Sequence, residues 1–165
     1  MKKLIIIRHA KSDWEDKNLD DFQRPLNERG LRNAPLMGQR LKQKNLIPDL
    51  ILSSPASRAI STATIIAQEV GYSKEIIQNQ YIYEAYVNNL QEIISYIHDS
   101  EETVFLVGHN PGVSALAYML CDLKESIPTC ATVEIDFDVD SWQDVSKENS
   151  KLISYDFPKK EFSDS

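Results

Sequence analysis

Four side chains in this 165-residue sequence sit where chemistry can be done with them. Arg8 and His9 follow the apolar run LIII side by side, Arg58 lies in the stretch SSPASRA, and His109 lies in VGHNPG. Arginine presents a planar fork of N–H donors that matches phosphate oxygens. A neutral imidazole can attack phosphorus and carry the phosphoryl group as a covalent intermediate. The N-terminus of a helix adds backbone N–H groups and partial positive charge, which also suit an anion. Each signal is weak separately; assembled at one place they describe a phosphoryl-transfer pocket.

Each residue also has a plainer reading. His9 could be a structural histidine satisfied by a backbone carbonyl, but a buried strand that delivers it beside Arg8 argues for function. His109 could merely shape the turn before Pro111, and Arg58 could merely open an exposed helix; their places at strand tips weigh against both. Arg24, in QRPLNERG, reads equally as a further phosphate or substrate contact and as an ion-pair partner. Ser53 and Ser54 read as turn-shaping residues, since no G-x-S-x-G elbow surrounds them. Trp14 reads equally as a cleft wall and as an exposed aromatic on a loop. His98 ends a helical stretch, where a cation suits the helix dipole, and reads as structural. A zinc hydrolase would need ligand spacing such as H-E-x-x-H, which is absent, and the arginines would repel a cation. The lack of G-x-x-x-x-G-K-[ST] excludes a P-loop kinase. No metal and no cofactor are expected. A phosphate-binding module without turnover would need the arginines but not a nucleophile.

Bringing residues 8, 58 and 109 together requires strands that end at one edge. Short β-rich runs at 3–7, 49–53, 103–107, 132–137 and 151–157 alternate with helical patterns, which predicts an α/β domain with a mostly parallel sheet. The last run alternates apolar and polar residues, as an edge strand does. Asn27 is placed to cap a helix over 28–44, with Pro35 kinking it or shifting its start. Ala59, Ala63, Ile66 and Val70 predict a second helix that stops at Gly71. Leu90, Ile93, Ile94 and Ile97 predict a third, and Val113, Leu116, Met119 and Leu120 a fourth. The polar, acidic stretch 138–149 reads as a solvated loop, and the terminal PKKEFSDS as a fraying end. Ligands of open α/β sheets bind beyond the carboxyl ends of the strands, so Arg8, His9, Arg58 and His109 should meet at one rim.

The length suits a single domain over residues 1–165. With 42% hydrophobic and 26% charged residues, the composition is that of an ordinary globular chain. A formal net charge of −7 argues against nucleic acid as a partner. The N-terminal apolar run is far too short for a secretory signal or a membrane span, so no membrane association and a cytoplasmic location are expected. Cys121 and Cys130 lack metal or redox spacing and read as free thiols in a reducing compartment. Short edge strands and an acidic surface point to a monomer.

RHA after the first strand, then RPLNERG, SSPASRA and VGHNPG, resemble the histidine phosphatase superfamily with its phosphoglycerate mutase-like fold. The match is best to the small branch of SixA-type phosphohistidine phosphatases, and it spans residues 3 to about 137. The resemblance implies a three-layer α/β/α sandwich and a metal-independent phosphatase that works through a covalent phosphohistidine. Carried over by motif, His9 is the nucleophile, and Arg8 and Arg58 bind the phosphoryl oxygens. His109 donates a hydrogen bond to the same oxygens, a task that an imidazolium performs best. Family members often add an acid that protonates the leaving group. Glu84, in IYEAYV, falls at that place, with Asp13 and Glu15 as competing carboxylates near the nucleophile. The usual glycine after the histidine is Ala10 here, a change that should leave catalysis intact. No long insertion follows the first or second strand, so the cleft should be open. The implied substrate is a phosphorylated protein histidine, with a small phosphorylated metabolite as the alternative.

Overall fold

The run Leu4, Ile5, Ile6 and Ile7 is fully buried because both faces of its strand are covered, which removes the alternation of a half-exposed strand. In the computed structural model, which describes residues 1–160, this strand is β1 (Lys2–Arg8). It is followed by α1 (Glu28–Gln43), β2 (Leu50–Ser53), α2 (Ser57–Val70), β3 (Ile77–Gln78) and α3 (Val87–Ser95). The chain continues through β4 (Thr103–Gly108), α4 (Gly112–Cys121), β5 (Thr132–Phe137) and β6 (Ser150–Asp156). The strands form one six-stranded sheet in the order β3-β2-β4-β1-β5-β6. The first four strands of that order run parallel, while β5 and β6 add antiparallel pairings on the far side of β1.

Side chains on β1 leave alternately for the two faces. Leu4 and Ile6 pack with Leu90 and Ile94 of α3 and Leu116 and Leu120 of α4. Ile5 and Ile7 pack with Leu41 of α1 and Ala63 and Ile66 of α2. The architecture is therefore three layers, α/β/α, of the phosphoglycerate mutase-like kind, with the core on both sides of a central sheet.

Local signals set most of the boundaries. The Asn27 side chain accepts the Gly30 N–H at 2.9 Å and caps α1. Pro35 lies inside that helix without moving its start. Gly71, at φ 78°, takes the left-handed conformation that ends α2.

Three expectations need correction or limits. The two-residue strand β3 is too short to show any periodicity. The stretch 138–149 is not simply a solvated loop. It holds two 3-10 turns, Trp142–Asp144 and Lys147–Asn149, and Trp142 is only 1% exposed. Its indole is a large apolar surface with one donor, and burial satisfies both needs because Nε1 donates to the Glu101 carbonyl at 2.6 Å. Of the terminal PKKEFSDS, residues 161–165 lie outside the described residues. Cys121 and Cys130 are free thiols. No helix among the described residues is long and apolar enough to cross a membrane.

Candidate active site

Strand register builds the site. Arg8 pairs with Gly108 across β1 and β4, and Ser53 pairs with Val107 across β2 and β4. Pairing continues one residue further, since the His9 N–H donates to the Gly108 carbonyl and the Ser54 N–H to that of Val107, each at 3.0 Å. The next side chains of three strands therefore emerge together at one rim of the sheet. The His9 and His109 rings come within 4.9 Å of each other. Arg58 is added by the first turn of α2, which starts just past the tip of β2. Neither α2 nor α4 begins with a capping side chain. Their first-turn N–H groups thus lack the partner that a Ser, Thr, Asp or Asn cap would supply.

All six residues singled out as candidates, Arg8, His9, Arg24, Arg58, Glu84 and His109, line one cavity of about 380 Å³. His9, Arg24, Arg58 and His109 are each less than 9% exposed. Glu84 is exposed at the rim and holds a left-handed backbone, φ 54°. Asp13 and Glu15 do not join them. The Asp13 carboxylate accepts the Glu15 N–H at 2.7 Å, and both residues line a neighbouring groove instead. Trp14 lines the cavity as a wall while 67% exposed, with the Arg24 guanidinium 3.4 Å above its ring. His98 is exposed and bonded to Ser100, as a structural residue should be.

Hydrogen bonding distinguishes the two histidines. Nδ1 of His9 lies 2.7 Å from the Ala10 carbonyl, which can only accept, so the proton sits on Nδ1 and the lone pair on Nε2. Burial, with Arg58, Arg8 and Arg24 adding to it against the Ala10 carbonyl, lowers the His9 pKa to about 4. The ring is neutral at physiological pH. The His109 pKa set by the protein's own groups, before any anion is bound, is lowered as well. Burial, then the proximity of His9 and Arg58, lowers its pKa to about 3. Nε2 of His109 lies 2.8 Å from Oγ of Ser54. A hydroxyl proton donated there leaves the His109 proton on Nδ1.

That Nδ1 is buried without a hydrogen-bond partner, and so are Nε of Arg8 and Nε of Arg58. The anion-binding chemistry lies in the guanidinium groups of Arg8, Arg24 and Arg58, which line one cavity together with both histidines. The Arg8 guanidinium is held by the Ile127 carbonyl at 2.9 Å, and burial and the neighbouring Arg58 charge lower its pKa. Among the described residues no group of three His, Cys, Asp or Glu side chains is placed to hold a metal ion.

Several residues of the site escaped the sequence reading. Ser54 shapes its turn as expected, accepting the Ala56 N–H at 3.2 Å, and is in addition the partner of His109. Asp21 and Tyr83 also line the cavity, joined by a 2.6 Å hydrogen bond. Asp21 comes from the long segment between β1 and α1, which bears no periodic pattern and folds along the cavity edge. Its signal was its place three residues before Arg24, to which it is ion-paired at 2.8 Å. The glycine of RPLNERG also finds its reason here. A Cβ on Gly30 would lie 2.2 Å from the Lys11 carbonyl oxygen, so only glycine lets α1 approach the loop that carries His9.

The sequence pattern of the histidine phosphatase superfamily (branch 1) matches residues 4–103. An uncharacterised chloroplastic protein of Arabidopsis thaliana is 33% identical over 152 residues, covering 87% of this chain and 70% of its own length. Among solved structures, a candidate phosphohistidine phosphatase SixA from Agrobacterium tumefaciens superposes with a TM-score of 0.82 at 26% identity, over 95% of this chain and 98% of that one. The protein histidine phosphatase SixA complexed with tungstate gives 0.79 at 20% identity, over 94% and 97%.

Proposed function

This chain belongs to the histidine phosphatase superfamily, branch 1, and on that premise we propose that it hydrolyses phosphohistidine on a protein substrate through a covalent phosphohistidine of its own at His9. The observation that carries this reading is the convergence of Arg8, Arg58, Arg24 and His109 on one cavity around a histidine whose Nδ1–H is already held by the Ala10 carbonyl. Guanidinium groups supply donors that match phosphoryl oxygens, and with Nδ1 engaged the lone pair of His9 on Nε2 is the one that would attack phosphorus. Tungstate, the ligand of the SixA structure, is an oxyanion, and it is held by a protein of this same fold.

In the first step Nε2 of His9 forms a bond to phosphorus as the bond to the donor nitrogen breaks. The leaving ring takes a proton from solvent or from Glu84 at the rim. Arg8, Arg58 and the Nδ1–H of His109 hold the three phosphoryl oxygens, with Arg24 as a further substrate contact. In the second step water attacks phosphorus and the bond to Nε2 breaks; the hydroxyl stays on the departing inorganic phosphate, the other proton passes to solvent or back to Glu84, and His9 returns to its neutral form. Neither step calls on a metal ion. We read the chain as one histidine phosphatase domain over residues 1–165, monomeric and cytoplasmic, with neither nucleic acid nor membrane as a partner.

Rapid acid-free quenching with ³²P-labelled phosphohistidine protein tests this. An acid-labile, base-stable phosphoenzyme should form in the parent and be absent in His9→Ala. Turnover of the phosphohistidine protein should exceed that of sugar and aryl phosphates compared alongside. Label on a serine, or activity that survives in His9→Ala, would overturn the mechanism; a clear preference for a sugar phosphate would overturn the substrate.

A further inference from the structure

Asp21 makes more hydrogen bonds than any residue assigned to the reaction. Its two carboxylate oxygens accept from four side-chain donors: Arg24 Nε at 3.1 Å and Nη2 at 2.8 Å, Arg58 Nη2 at 3.0 Å, and the Tyr83 hydroxyl at 2.6 Å. Its backbone carbonyl accepts from Arg58 Nη1 at 2.6 Å. Both terminal nitrogens of Arg58 are therefore held by one residue, while Nε is buried without a partner. Tyr83 extends the assembly. Its ring meets His109 edge-on at 5.5 Å and Phe22 at 5.2 Å.

We propose that Asp21, steadied by Tyr83, is a positioning residue that fixes the Arg58 guanidinium at the cavity wall through one N–H of each terminal nitrogen, leaving the second N–H of each for the phosphoryl group. A free arginine side chain samples many rotamers, and a donor clamped before substrate arrives costs no reorganisation during the reaction. Asp21 suits the task because its carboxyl stays ionised. Partial burial raises its pKa, but the hydrogen bonds from Tyr83, Arg24 and Arg58 outweigh that and hold it far below the usual carboxylate range. The same pairing raises the Tyr83 pKa to about 12, burial being the larger cause, so the hydroxyl keeps the proton it donates. An ionised carboxylate committed to four donors is not an acid for the leaving group, which separates the role of Asp21 from that of Glu84. The clamp also spans the fold, joining the segment before α1, the first turn of α2 and the loop before α3.

The inference rests on the assignment of Arg58 to the phosphoryl oxygens, and a double-mutant cycle tests it apart from that assignment. With an aryl phosphate as substrate, Asp21→Ala should lower kcat/KM by about 10- to 100-fold, most of it in kcat. Asp21→Asn, which keeps an oxygen acceptor, should recover part of that loss. In an Arg58→Ala background the same Asp21→Ala change should cost no more than about threefold, because the residue it acts through is gone. Calorimetric titration with inorganic phosphate should show the same non-additivity and needs no turnover. Should Asp21→Ala fail to fold, Tyr83→Phe, which keeps the ring against His109, runs the cycle in its place. Losses that add fully in the cycle would overturn the inference. So would a rise in kcat/KM in Asp21→Ala, which would make the carboxylate a competitor of the phosphoryl group for Arg58. A parent that forms no phosphohistidine would instead refute the proposed function and is read in a separate experiment.

Discussion

Gly30→Ala sets two effects of known sign against each other. Replacing a helical glycine by alanine normally stabilises by about 1 kcal/mol, because the unfolded chain loses freedom and the helix gains a better former. Here the added Cβ would lie 2.2 Å from the Lys11 carbonyl oxygen, 3.1 Å from its nitrogen and 3.2 Å from its carbon. Ordinary contact begins near 3.4 Å, so the oxygen must retreat by roughly 1 Å. That oxygen accepts the Asn27 N–H at 3.0 Å and is part of a backbone, not the loose end of a side chain. Overpacking of this sort costs about 1–3 kcal/mol, so the net effect should be a loss of about 0–2 kcal/mol. Catalysis should suffer more than stability. Lys11 lies two residues after His9, and a displacement of about 1 Å at reacting groups costs roughly 10²-fold in rate. Gly38→Ala, in the same helix, supplies the contrast. Its Cβ would meet the Glu69 side chain at 2.7 Å and 2.9 Å, where α1 packs on α2 far from the cavity, so it should shift the melting temperature and leave kcat alone. Thermal melts and steady-state kinetics on both variants decide the matter. A Gly30→Ala protein with parental kcat, or a Gly38→Ala protein that loses kcat as steeply, would refute the claim that RPLNERG ends in glycine for the sake of the catalytic loop.

His109→Ala should slow turnover by about 10²–10³ while still forming some phosphoenzyme, with part of the loss recovered in His109→Asn; complete loss of phosphoenzyme there, with its retention in His9→Ala, would reverse the two roles. Ser54→Ala removes the hydrogen bond at Nε2 of His109 and should cost about tenfold in kcat, measured with a single aryl phosphate at saturation. Both histidine pKa values lie below the ordinary 6.5, so the folded protein binds fewer protons than the unfolded chain between about pH 3 and 6.5. Stability should therefore fall as pH drops through that window. The fall should be smaller in His9→Asn, and an NMR titration in which the His9 ring protonates near 6.5 would contradict it. Inhibition by vanadate should be competitive, and chelators should leave activity unchanged; activity lost in chelator and restored by zinc would point to a metal site.

What the sequence disclosed and what it hid have a common cause. The tip of β1 was legible because a strand buried on both faces has no reason to end in Arg8 and His9 unless the rim uses them. The helix starting at Asn27 and the stop at Gly71 were legible because caps act locally. Asp21 was not, since it sits in DWEDKNLDD among five acidic residues of equal standing, and only the path of the folded segment selects one. Tyr83 and Ser54 were hidden for a related reason: each matters through contacts, with Asp21 and His109 in one case and His109 in the other, that join segments far apart in the chain. Trp142 lay in an acidic stretch whose average character concealed one fully apolar demand. The lowered pKa of His109 comes from burial beside His9 and Arg58, which no spacing in the sequence reports.

The closeness of Arg8 to Arg58 has a consequence for handling the protein. Two guanidinium groups of the same sign, each with a buried nitrogen lacking a partner, face one cavity, and the protonated form of Arg8 is disfavoured by burial and by its neighbour. Asp21 offsets the charge of Arg58, so the strain falls mainly on Arg8, and an oxyanion in the cavity would relieve it. Any oxyanion bound only by the folded state adds stability as its concentration rises, by about 2.7 kcal/mol at a hundred times its dissociation constant. Inorganic phosphate, the product of the proposed reaction, should therefore raise the melting temperature. The melting temperature then becomes a direct gauge of site occupancy, and the same free energy that makes the folded protein more durable in phosphate makes it slower to release what it has made.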